Sequence, residues 1–419
     1  MLLNKFFLGL IVAFSLFSGS YIIGGIKIYP PLILAIPGIA IAVYLGAMPQ
    51  KIASEFKWWL VFLMIVSLFY FVGQNDDYLF ILFRYLFKAI FIPLGCCLLI
   101  RQVCIKISAS HDEYMNNIRN AVYVALIIQF AITLLQLGIP TFRSAFNSII
   151  ELTDEWQALA EMGHFRATGL AGLSIYDTSI AYGLISLFFI PWCFSKKYSA
   201  NYKFLLVMLI LTALSLIAGR SGFALLLVIF LIVFLEARKK LFVLSNLSMF
   251  LMLSILAFIA VVGAVEFYTF AQFVFEPIYN YIDKGTFETA STNELMDSYL
   301  FIPWEISPWL GSGFWAQPSI SIPAQFTYAT DSGVLLNYIA FGITGLIFVI
   351  SYFWHFVYQI ITNVRIKNKT IRSIFYCAFS TVFFFFVLKG PVFFSEKIMA
   401  TYFLWLIYQT PTSLKQTKL

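Results

Sequence analysis

Apolar runs of about twenty residues recur along nearly the whole chain, and this recurrence limits what it can fold into. At ~1.5 Å per residue, such a run wound as a helix crosses a ~30 Å hydrocarbon layer. Hydrophobic residues make up 61% of the 419 positions and charged residues only 11%, with mean hydropathy +0.89. That leaves too little polar surface for an ordinary water-soluble fold. In lipid every backbone N–H and C=O must be satisfied by the protein itself, which an apolar run of this length achieves alone only as a helix. The fold class expected is therefore all-α, a polytopic membrane protein forming one integral domain over residues 1–419. About twelve spans are read, at 5–24, 29–49, 57–74, 78–100, 118–139, 169–194, 203–219, 222–236, 242–267, 330–361, 372–389 and 392–409. The opening stretch, with Lys5, an apolar run and Ser18 to Ser20, has the outline of a signal peptide. Because so many spans follow, it is read as an uncleaved first helix.

The net charge of +7 is spread over short connections, so it bears on topology and not on nucleic acid, which is not expected as a partner. Eighteen of the 27 basic residues fall on alternate connections or at the termini, including Lys51, Arg101, Lys196, Arg238 and Arg372. That side is expected to be cytoplasmic, with both termini there. The five cysteines show neither CxxC nor Cys/His ligand spacing, so no disulfide or zinc site is implied. No GxxxxGK[ST] loop, strand-borne GxGxxG or HExxH occurs, which argues against nucleotide-driven transport within this chain.

Against this background "LSLIAGRSGFALLLVIFLIVFLEARKK", 214–240, is anomalous: Arg220 sits inside hydrocarbon-like sequence. A charge at mid-membrane costs several kcal/mol, so its depth matters. As one helix, 203–236 would be roughly 50 Å long, too long for one crossing. Both flanks, "SKKYSANYK" and "EARKK", are basic. The segment is therefore expected to be a hairpin turning at "AGRSG", with Arg220 facing an outward cavity. The alternative is an arginine that snorkels and merely anchors the turn.

Two long connections, 140–168 and 268–330, lie on the same outer side. The larger is acidic and rich in aromatic rings, among them Trp309 and Trp315 in "YLFIPWEISPWLGSGFWAQPS". Rings beside carboxylates suit a carbohydrate; a tryptophan belt at the membrane surface is the equal alternative. Basic residues assigned to the outer half are few: Arg84 and Lys88, four apart in "YLFILFRYLFKAIF", then Arg166, Arg220 and Lys389. Together they could form a cationic cup for a diphosphate. Asp177, at similar depth, could instead neutralise one of them.

"HFRATGLAGLSIYDTSIAYGL", "LSLIAGRSGFALLLVI", "PWLGSGFWAQ" and "YATDSGVLLNYIAFGITGLIF" follow one another in this order over about residues 160 to 350. In that order they resemble the bacterial O-antigen polymerase (Wzy-type) and O-antigen ligase superfamily. The resemblance implies a GT-C-like glycosyltransferase of lipopolysaccharide biosynthesis in the bacterial inner membrane. It would work at the periplasmic face on undecaprenyl-diphosphate-linked oligosaccharide, without metal or other cofactor. Membrane lipid, a chain-length regulator and a flippase are the partners it suggests. Arg166 and Arg220 match arginines expected to contact the donor diphosphate, and Asp331 falls where the chain re-enters the membrane. Sister ligases carry a histidine near the end of the large loop; this chain has only His111, His164 and His355. That departure favours polymerase over ligase and leaves the general base open among His164, Asp331 and Glu396. Ligation, or flipping and transport of a lipid-linked oligosaccharide, are the competing functions.

Overall fold

In a computed structural model, the described residues are 2–46, 48–73, 82–151, 169–172, 175–195, 198–237, 276–286, 330–364 and 366–410. Positions 288, 289, 293, 296, 297, 300, 301, 303, 304 and 306–315 complete the set. Helices dominate. They are α1 (Leu2–Phe17), α2 (Pro30–Leu45) and α3 (Gln50–Gly73). Leu82–Phe91 is wound as a π-helix and continues as Ile92–Ile107, together α4; α5 is His111–Gly138 and α6 Pro140–Asn147. Ile175–Ile185 runs on through Ser186–Phe189 and Ile190–Cys193 as α7, followed by α8 (Tyr198–Ala218) and α9 (Arg220–Ala237). The rest are α10 (Glu276–Lys284), α11 (Gly333–Asn363), α12 (Lys369–Lys389) and α13 (Glu396–Gln409). Six helices among the described residues are long and apolar enough to cross a membrane, so the chain is an α-helical membrane protein. The expected span 242–267 lies outside the described residues.

Two expectations need correcting. The first span does not run to residue 24: α1 stops at Phe17, and Tyr21–Ile23 pairs antiparallel with Ile26–Ile28. Gly24 and Gly25, at φ 59° and 79°, supply the two left-handed positions that a two-residue hairpin turn demands. The span at 330–361 is not one continuous helix, because Gly342 breaks α11 with φ 62° and ψ −149°. The large loop docks at that break. Ile343 N donates to Pro308 O at 2.7 Å, Ser312 N to Ile339 O at 2.7 Å and Gly313 N to Ala340 O at 3.1 Å. The segment 308–313 thus satisfies backbone groups freed by the kink, roughly 14 Å along the helix from Gly333.

The hairpin at Arg220 follows from how α7 touches its neighbours. Ser179, near the start of α7, donates to Ser215 O in the last turn of α8 at 3.3 Å. At the other end of both helices, Lys203 lies 5.8 Å over the Trp192 ring. These helices are therefore antiparallel. Gly222 N donates to Ser179 Oγ at 2.9 Å, and Gly183 lies against Leu225, so α9 runs parallel to α7. Hence α8 and α9 reverse direction at Gly219.

One continuous core of aliphatic and aromatic side chains joins α1, α3–α5, α7–α9 and α11–α13. At its heart is a carboxylate, Glu55 of α3, only 1% exposed. Its oxygens lie 2.6 Å from His355 Nε2, 2.8 Å from Tyr402 Oη and 3.2 Å from Tyr352 Oη. Trp58 covers the imidazole at 5.2 Å. A buried carboxyl is tolerated here because polar partners from α11 and α13 surround it. Toward the same end, Lys51 bonds Asn363. A cavity of about 740 Å³ opens there, with Asp112, Arg119, Glu236 and Asn363 in its wall. We call this the basic end.

Candidate functional site

The opposite end gathers every loop that the sequence singles out and the structure describes. The β-hairpin is tied to α6 and the turn before α7: Ile22 N donates to Ile149 O at 2.6 Å, and Gly19 N to Leu170 O at 2.7 Å. Two glutamines in the apolar α5 hold that turn, Gln136 Oε1 accepting from Gly169 N at 2.8 Å and Gln129 Oε1 from Leu170 N at 2.9 Å. They are seven apart, two helical turns on one face. Lys27 and Glu151 close the rim at 2.7 Å. The Lys27 ammonium bonded to it holds the Glu151 carboxyl below the usual range, against a smaller upward push from burial.

Arg220 is the first residue of α9. The Ser179 hydroxyl accepts from Gly222 N and bonds the C-terminal carbonyls of α8, so one side chain caps both halves of the turn. Gly222 is there for space: a Cβ on it would lie 1.8 Å from Ser179 O. Gly219 has room for one, with its nearest neighbour at 3.6 Å. Arg220 therefore lies at a helix start at one end of the bundle. Its Nη1 meets Glu276 Oε2, from the large loop, at 2.8 Å.

Tyr176 organises what surrounds Arg220. Its hydroxyl donates to Phe386 O at 3.0 Å, bonds the Ser221 side chain and lies within electrostatic reach of Asp331. Lys389 sits 5.7 Å from the centre of its ring, and Gly390 packs on the ring edge. Tyr176 thus brings Arg220, Lys389 and Asp331 into one neighbourhood. Its chain neighbour Asp177 faces a second group. Lys397 of α13, 4% exposed, donates to Ser18 O and lies within electrostatic reach of Asp177, Glu396 and Lys88. Lys88 is also within reach of Glu151. Of the site residues expected from sequence, Arg220, Lys389, Asp331, Lys88 and Glu396 are thus drawn to one end of the bundle. His164 and Arg166 lie outside the described residues, as does the side chain of Arg84.

Comparison with known protein families, with curated proteins and with solved structures found no match.

The two tryptophans part company. Trp309 is 72% exposed, whereas Trp315 is 2% exposed and packs edge-on against Phe394 at 5.0 Å. Trp315 is a core residue in this arrangement; a ligand reaches Trp309 without rearrangement. The histidines separate as well: His355 is committed to Glu55, and His111 opens α5 at the basic end. Reading the sequence alone missed Tyr176, Gln129, Gln136 and Lys397. A signal existed for each, since a polar or charged group within an apolar run needs a partner. The cavity at the basic end is lined by none of the site residues expected from sequence. Three nitrogens of Arg119 in its wall already donate to Phe188 O, Asn116 Oδ1 and Tyr408 Oη. Among the described residues, no three His, Cys, Asp or Glu side chains are grouped to hold a metal ion.

Proposed function

We propose that the chain polymerises a bacterial surface polysaccharide of the O-antigen type at the periplasmic face of the inner membrane. The growing glycan leaves undecaprenyl diphosphate and joins a sugar hydroxyl on a lipid-linked repeat unit. One observation carries the reading. Segments bearing the family resemblance converge in the fold: "YDTS" bonds "AGRSG" through Ser179, "PWLGSG" docks on "IAFGI", and Asp331 lies within electrostatic reach of Tyr176. A constellation assembled from such distant pieces at one end of a helical bundle suits a membrane-surface site.

In this scheme the acceptor hydroxyl attacks the anomeric carbon of the donor sugar. The bond from that carbon to the diphosphate oxygen breaks, and its electron pair leaves with the diphosphate. Arg220, with Lys389 nearby, stabilises the developing negative charge. Asp331 and Glu396 are the candidates among the described residues to take the hydroxyl proton. The lack of a histidine near the end of the large loop favours polymerase over ligase. Deletion of the gene followed by gel analysis of surface polysaccharide tests the reading. A polymerase loss leaves core bearing one repeat unit. Bare core with accumulated lipid-linked polymer would point to ligation, and bare core without polymer to flipping.

A further inference from the structure

The guanidinium assigned to an anionic ligand already holds an anion. Glu276 Oε2 lies 2.8 Å from Arg220 Nη1, and the two side chains are 23% and 24% exposed, Arg220 first. Arg220 is also the first residue of α9, where the helix dipole adds positive potential. Chemically the carboxylate occupies the position that a phosphate oxygen would take. It comes from the large loop, 56 residues away in sequence, so its presence is not a by-product of local helix geometry.

We infer that Glu276 is an intrachain competitor for the anion site at Arg220, setting the affinity an incoming anion must exceed. The inference rests on the proposal that Arg220 binds a diphosphate. Two features make displacement feasible. Both groups are partly open to solvent, so the exchange needs no unfolding. Glu276 is the first residue of α10, and after release its charge is still stabilised by the start of that helix. The competitor weakens every anion at Arg220 by the same factor. Free phosphate, which has no other anchor, cannot offset that factor. A lipid-linked diphosphate, held also by its sugar and its polyprenyl chain, still displaces the carboxylate.

The test is calorimetric titration of the purified full chain in detergent with inorganic pyrophosphate. Glu276→Gln keeps the side-chain shape and removes the charge, and should tighten binding roughly two- to fivefold, the worth of a partly exposed ion pair. Glu276→Ala should do the same, with both variants checked for unchanged thermal unfolding. In an Arg220→Ala background, Glu276→Gln should have no further effect. If Arg220→Ala weakens binding but Glu276→Gln leaves it unchanged or weaker, Glu276 positions the arginine and the competitor role is overturned. If Arg220→Ala leaves binding as in the wild type, the diphosphate reading itself fails. Binding by neither the wild type nor Glu276→Gln also overturns the competitor.

Discussion

Gly342→Ala is the substitution from which this structure demands most. Its backbone, at φ 62° and ψ −149°, lies in a region open essentially to glycine alone, and forcing alanine there costs about 1–3 kcal/mol. Relaxing the strain is blocked, because the new Cβ would lie 2.4 Å from Pro308 O and 2.7 Å from Trp309 C. Those are backbone atoms and cannot swing aside. The segment must lift, and with it go the bonds from Ile343 N, Ser312 N and Gly313 N. At about 1 kcal/mol net each they add roughly 3 kcal/mol, for a total near 4–6 kcal/mol. That is a large share of the ~5–15 kcal/mol that holds a typical domain. Denaturant unfolding in mild detergent, followed by tryptophan emission, measures it. Emission should shift to the red even before unfolding, as Trp315 leaves its contact with Phe394. Gly138→Ala is the control: it has open space and no left-handed φ, so it should be neutral or slightly stabilising. A loss below about 1 kcal/mol in Gly342→Ala would mean that the segment 308–313 does not dock at the kink.

Other perturbations separate packing from chemistry. Glu55→Leu strands the His355, Tyr352 and Tyr402 donors and should cost about 3–5 kcal/mol, with Glu55→Gln costing less because its oxygen still accepts; the same unfolding assay decides. Trp315→Ala should lose about 3–5 kcal/mol as a buried ring is removed, while Trp309→Ala keeps stability and lowers polymer yield; equal stability losses would contradict this partition. The Lys27–Glu151 tie has a pH signature. Because the Glu151 carboxyl is held below the usual value of 4.5, its contribution is present above that value and lost as pH falls through the lower folded value. Amide protection at 21–28, relative to the intrinsic exchange rate at each pH, should fall over that acid range, and Glu151→Gln should show the lower protection already at neutral pH.

Helix positions were legible because apolar runs with basic flanks carry their own length and orientation signal. The reversal at Arg220 was legible for the same reason: 203–236 is too long to cross once and has basic residues at both ends. The break at Gly342 was not. Glycine is common in membrane helices, so "IAFGITG" reads like any other span, and the kink exists only because a distant loop satisfies its backbone. The β-hairpin had a clear local mark, two glycines between "YII" and "IKI", but the apolar run masked it. Arg220, Lys389, Lys88, Asp331 and Glu396 could be named from the sequence as scarce polar groups expected on one side. The groups that organise them, Tyr176 and Lys397, could not be chosen over other tyrosines and lysines until α7, α12 and α13 were seen to meet.

The central claim is that Arg220 stabilises a departing diphosphate. The measurement is polymerisation of purified undecaprenyl-diphosphate-linked repeat units in detergent, with rates normalised to folded protein. Losing one charge-assisted contact from such a site is worth about 2–4 kcal/mol, so Arg220→Ala should be roughly thirty- to a thousandfold slower. Arg220→Lys keeps the charge without the planar donor fork and should fall between Arg220→Ala and the wild type. Full activity in Arg220→Ala would contradict the account and leave this arginine as the anchor of a turn.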